Sequence, residues 1–185
     1  MKVIFAWLVV GACGGGATAT SDAPASSPDA PAGSTSITGM VGGTMFTNAM
    51  SVYWIGSPDS PTTDTVIYLF DHAVGCEQII NAGWDAGLAA GTQILELKMV
   101  GKAPSTYGET TAATHVPAPG ESASSYTIAA AGAMDMIASG GSVTLASLGM
   151  SATGNFAVGT FHVTFGSGAL DGTYTAPFCQ KGREP

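Results

Sequence analysis

The chain has 185 residues, with 13 acidic against 5 basic side chains and a formal net charge of −8. So few cations exclude a nucleic-acid partner, since Lys98, Lys102, Lys181 and Arg183 cannot form a basic patch. Charged residues make up only 10% of the chain and glycines number 26, a balance that fits one glycine-rich domain rather than two.

At the N-terminus Lys2 precedes an apolar run from Val3 to Val10, followed by Gly11, Ala12 and Cys13. A cationic start, an apolar segment of about 7–15 residues and then small side chains is the order of an export signal. The run is far below the roughly 20 apolar residues that a membrane-spanning helix needs. Gly14-Gly15-Gly16 argues against a buried first strand. Small residues ending in a cysteine resemble the lipobox of bacterial lipoproteins. The resemblance implies that residues 1–12 are removed, and that Cys13 is diacylated, becomes the new N-terminus and has the lipid bilayer as its partner. Gly14 is not the aspartate that resembles an inner-membrane retention signal, so the expected location is exported and lipid-anchored at the outer membrane. The segment before Cys13 is short for such a signal, which fits a start upstream of Met1.

Residues 13–36 are the lipidated cysteine and a disordered tether of Gly, Ala, Thr, Ser, Asp and Pro, with Asp22-Ala23-Pro24-Ala25 repeated as Asp29-Ala30-Pro31-Ala32. It has no large apolar side chain to bury and cannot offset its ordering entropy. As a spacer it reaches at most about 70 Å in a polyproline-like form. Residues 37–185 are then a single domain, long enough to bury roughly 70% of its unfolded surface.

That domain reads as β. Val41-Gly42-Gly43-Thr44 predicts a two-residue hairpin turn, because paired glycines accept positive φ. Met50 to Ile55 and Thr65 to Phe70 are predicted strands, the second apolar on both faces. Cys76 to Ala82 is the one short helical turn, with Gly83 placed to end it. Gln93 to Val100 alternates, with Leu95, Leu97 and Met99 inward and Glu96 and Lys98 outward. Ala103 to Ser125, rich in Pro, Thr, Ser, Gly and Glu, is expected as a long loop. Tyr126 to Ala130 and Val143 to Leu148 supply two more strands. Phe161, Val163 and Phe165 point inward, while Phe156 and Val158 have the opposite parity, so a bulge is expected near Gly159. Gly166-Ser167-Gly168 turns the chain into Leu170, Gly172, Tyr174, Ala176 and Phe178, with Thr173 and Thr175 facing water. About eight or nine short strands between glycine-rich turns predict an all-β fold, an antiparallel β-sandwich or a partly open barrel.

With Cys13 carrying lipid, Cys76 and Cys179 remain. An even remainder in an exported protein points to a disulfide. The sharper alternative, a metal or redox site from Asp71, His72, Cys76 and Glu77, lacks the usual ligand spacing. The closing segment, Gly168-Ala169-Leu170-Asp171-Gly172-Thr173-Tyr174-Thr175-Ala176-Pro177-Phe178-Cys179, resembles the last strand of small, uncharacterised lipoproteins from myxobacteria-like bacteria. The resemblance implies location and a β domain with one earlier cysteine paired to this one, and carries no activity.

For catalysis the sequence offers little. His72 follows Asp71, but neighbours in a strand point to opposite faces and form no dyad without a turn. His162 between two threonines reads as a solvated surface residue, and His115 lies in the polar loop. No serine sits in a Gly-x-Ser-x-Gly elbow and no glycine pattern opens a helix for phosphate. Asp59, Asp64 and Asp71 surround a Pro-rich turn, where turn and cap roles outweigh calcium binding. No catalytic residue, metal or cofactor is therefore expected. The candidate binding residues are Tyr53 and Trp54, on opposite faces of one strand, and Trp84 in a glycine-rich loop. The reading is a membrane-anchored lipoprotein whose β domain binds a carbohydrate or protein partner. A structural envelope lipoprotein without ligand and a secreted hydrolase are the alternatives.

Overall fold

The computed structural model describes residues 35–46, 49, 51–55, 64–81, 88–111, 114–129, 135–151 and 154–179. In chain order these contain β1 (Ser36–Val41), β2 (Thr44–Met45), β3 (Ser51–Ile55), β4 (Thr65–Phe70), α1 (Cys76–Asn81), β5 (Gln93–Met99), β6 (Ser105–Glu109), β7 (Glu121–Ile128), β8 (Met136–Ile137), β9 (Gly140–Ser151), β10 (Gly154–Phe165) and β11 (Gly168–Pro177). The fold is all-β. One 11-stranded sheet runs β2-β1-β11-β10-β9-β6-β7-β5-β4-β3, with β8 added to β7. β3, at the far end of that order, comes back against β11, so the sheet curls into a half-barrel. Of the two expected architectures the partly open barrel is therefore the one found. The strand count exceeds eight or nine because β6 and β8 are short additions to the expected set.

The concave side holds the main core. Ile67 and Leu69 of β4, Leu95, Leu97 and Met99 of β5, and Phe161 and Val163 of β10 are all buried there, as alternation predicts. Val41 pairs with Thr44 across a turn in which Gly42 and Gly43 have φ of 59° and 82°, the positive values that a tight hairpin requires. Phe46 enters the core beside Tyr126, which also contacts Phe165, with ring centroids at 6.4 and 6.1 Å. A second, smaller cluster forms on the convex side, where Val74 and Ile79 cover Phe70, Ile94 and Ala129. Cys76, at the start of α1, is joined to Cys179 after β11 by a disulfide. The bridge ties this covering segment to the far flank of the sheet.

The expected irregularity near Gly159 is present, with its extra residue on the partner strand: Val158 pairs with Ser147 and Gly159 with Leu145, so Ala146 of β9 is unmatched. β10 itself keeps an unbroken register with β11. A Cβ at Gly159 would lie 2.4 Å from the Tyr174 hydroxyl, so glycine here makes room for that buried ring. Two other local expectations need correction. Thr175, expected to face water, is buried, and its N–H donates to Thr35 Oγ1 at 3.1 Å as the chain enters β1.

The second correction concerns Ala103 to Ser125, which is no long loop. It contains β6 and the greater part of β7. These strands pair in parallel only at Gly108–Glu121 and Glu109–Ser122. The buried Glu109 carboxylate takes over from the ladder. It accepts the Ser124 N–H at 2.9 Å, the Ser122 hydroxyl at 3.0 Å and the Ser124 hydroxyl. Strands held through serines and a carboxylate show no apolar alternation, the feature on which strand prediction depends.

Candidate functional site

Outside the barrel, β4, β5 and the residue before β8 bring a phenol and two carboxyl groups to one place. Tyr68 is the cross-strand partner of Glu96, which in turn partners Ser125. Direct partners share a face of the sheet. Tyr68 stacks on Phe70 with centroids 6.2 Å apart, and Phe70 is itself fixed under Val74 and Ile79. Asp135, just before β8, accepts the Thr127 hydroxyl at 2.5 Å. Burial pushes the Glu96 carboxyl above its usual range; Lys98 opposes this, Asp135 adds to it and the Tyr68 hydroxyl lowers it again. The Tyr68 phenol is pushed up by burial, then by the charge of Glu96. A half-buried ring beside hydroxyl and carboxyl groups can stack on an apolar ligand face while hydrogen-bonding its polar edge.

A polar network forms where β4 ends and β5 begins. β4 ends at Phe70 and the chain bends at Asp71 and His72, so strand alternation no longer separates them. They form the dyad that an unbroken strand would forbid, with His72 Nδ1 2.6 Å from Asp71 Oδ1. A carboxylate only accepts, so Nδ1–H is the donor. Asp71 also accepts the Gln93 backbone N–H at 2.7 Å and Gln93 Nε2 at 2.9 Å. Gln93 Oε1 accepts the Tyr126 hydroxyl at 2.8 Å. Burial, with Asp71 contributing, pushes that phenol up to about 12.

The other sequence candidates separate as follows. Cys13 and Trp84 lie outside the described residues. Tyr53 and Trp54 are described in backbone only. Tyr53 is the register partner of Tyr68 and Trp54 of Ile67. The Cys76–Cys179 pairing is present as a disulfide, which removes Cys76 from any metal or redox site. Asp64 is ion-paired to Lys98 at 2.8 Å, while Asp59 lies outside the described residues. Among the described residues no group of three His, Cys, Asp or Glu side chains gathers to hold a metal. His115 has a φ of 52°, and its Nε2 donates to the Ser124 carbonyl at 3.3 Å. His162 is exposed as expected, yet Asp171 lies 2.5 Å away across the β10–β11 ladder. Sequence reasoning missed Glu96 and Tyr68 as a pair. The signal was available in the outward parity of Glu96, but the register that puts Tyr68 opposite it was not.

In comparison with known proteins, no family model, no curated protein and no solved structure matches this chain.

Proposed function

We propose that this chain is an exported lipoprotein, held at the outer membrane by acylated Cys13, whose β domain works by binding a glycan on the Tyr68–Glu96 face. The observation that carries the binding reading is the row in which Tyr53, Tyr68 and Glu96 are successive cross-strand partners, with Tyr68 braced by Phe70. Aromatic rings take up the apolar face of a sugar, and carboxyl and phenol groups its hydroxyls. The Cys76–Cys179 disulfide supports export, since such bonds persist in oxidising compartments.

Cys13→Ser should move the protein out of the membrane fraction and abolish labelling by a fatty-acid probe. Retention of the variant in the membrane, or a wild type without lipid by mass spectrometry, overturns the anchoring. On an array of envelope glycans, Tyr68→Ala and Glu96→Gln should each lose the wild-type signal; equal signals from all three proteins exclude this face. A protein partner is the second reading, favoured by Met40 and Met45, which face each other across β1 and β2 at 47% and 62% exposure.

A further inference from the structure

The convex surface of the other half of the sheet carries its polar side chains in cross-strand rows. In one row Thr38 partners Asp171, Asp171 partners His162, His162 partners Ser142, and Ser142 partners Gly108. Direct partners stand with their Cβ atoms about 4.5–5.5 Å apart on the same face. His162 Nδ1 lies 2.5 Å from Asp171 Oδ1, and since the carboxylate can only accept, Nδ1 holds the proton. Nε2 is the ring nitrogen that this bond leaves over, and Ser142 is the direct partner of His162 on the neighbouring strand β9. Gly141 has a φ of 110°, and a Cβ there would meet the His162 carbonyl oxygen at 2.1 Å. Only glycine lets β9 approach β10 this closely beside Ser142. On the opposite flank Gly108 leaves open space around the serine. Thr144 and Thr160, partners in the next row, add two hydroxyl donors.

We propose that Ser142, His162 and Asp171 form a nucleophilic site for unhindered carboxylic esters. It lies on the other half of the outer surface from the glycan-binding row and is independent of that reading. Ser142 Oγ attacks the ester carbonyl carbon while its proton passes to His162 Nε2, and Asp171 stabilises the imidazolium. The carbon–oxygen bond to the alcohol breaks, and the departing oxygen takes the proton from Nε2, leaving an acyl-serine. Water then gives a proton to Nε2 and its oxygen to the acyl carbon, and the returning proton restores Ser142 as the acid departs. The His162 and Asp171 side chains are 57% and 56% exposed, so solvent weakens their coupling and turnover is slow.

The test uses the full chain with a fluorophosphonate probe and p-nitrophenyl acetate. The probe should label Ser142, located by peptide mass. Ser142→Ala and His162→Ala should each reduce ester turnover by about tenfold or more, with unchanged melting temperatures. Ser142→Cys, which keeps a nucleophile, should be alkylated faster by iodoacetamide when His162 is present than in the double variant with His162→Ala. Tyr68→Ala should leave labelling intact. Labelling at another serine, turnover unchanged by Ser142→Ala, or alkylation independent of His162 overturns the site.

Discussion

The two halves of the curled sheet share one core and differ on their outer side. In the β3–β4–β5–β7 half, Phe70 and Ile94 point away from the barrel yet are buried, at 0% and 1% exposure, because the segment around α1 covers them. In the β1–β11–β10–β9 half, the equivalent positions Thr38, Asp171, His162 and Thr160 are open to water. A strand apolar on both faces is clamped, and its outward groups are held rigid; a strand with one wet face is free to present polar chemistry at no packing cost. The covered half therefore suits a preorganised binding row such as Tyr68 and Glu96. The open half suits a solvent-accessible row such as Ser142, His162 and Asp171.

The largest expected effect tests what holds the cover down. Cys76 and Cys179 are 103 residues apart, and a loop of that size contributes about 4–5 kcal/mol in the chain-entropy account. Replacing both with Ala should lower the denaturation free energy by that order. Hydrogen exchange should accelerate first at Phe70 and Ile94, before Val163 of the open half. Equal acceleration in both halves would break the comparison. Next in size, Phe70→Ala should cost about 3–5 kcal/mol in chemical denaturation, the usual loss for a buried aromatic ring. A loss below about 1 kcal/mol would place Phe70 with ordinary surface positions.

Acid and alkali sharpen the same contrast. The Glu96 carboxyl is raised in the fold, so the folded state binds its proton more tightly than the unfolded chain does. Stability from this group is complete below the ordinary carboxylate value of 4.5 and declines as pH rises through the raised one. Glu96→Gln should flatten that decline in melting temperature against pH. Tyr126, Tyr68, Tyr107 and Tyr174 are all raised chiefly by burial, Tyr126 from 10.0 to about 12. The sign is the same: stability held below pH 10 is lost as pH climbs through the raised values. Ultraviolet titration should show phenolate appearing together with unfolding. Four phenols ionising near their free value in a still-folded protein would contradict the burial.

The open half was the more legible in the sequence. Phe161, Val163, Phe165, Leu170 and Tyr174 alternate with polar residues, and all are buried as that pattern says. The Gly42-Gly43 turn and the Cys76–Cys179 pairing were readable because each rests on one residue type with one strong preference. β6 was not readable, since Ser105, Thr106, Gly108 and Glu109 show no apolar alternation and the strand is set by its ladder with distant β9. The two candidate sites escaped for a different reason. Tyr68 with Glu96, and Ser142 with His162 and Asp171, are far apart in sequence and meet only through strand register. Pairing of Asp71 with His72 needed the bend after Phe70, which a strand reading of Thr65 to Phe70 does not extend to.

The smallest effect is expected on the open half, and for that reason it discriminates best. Thr160 sits in a row with Thr144 and Thr173 and faces solvent. Thr106 and Thr144 already bond each other at 2.9 Å, and Ser36 and Thr173 at 3.1 Å, so neither pair relies on Thr160. Thr160→Ala should change stability by no more than about 0.5 kcal/mol, the range of ordinary surface substitutions. The same variant removes a hydroxyl from the row next to Ser142, so ester turnover should fall while the melting temperature holds. A melt that falls by several degrees would instead mean that the hydroxyl rows clamp this face as firmly as α1 clamps the other. The open half would then be a second braced surface, and the distinction between a rigid binding face and an accessible reactive one would fail.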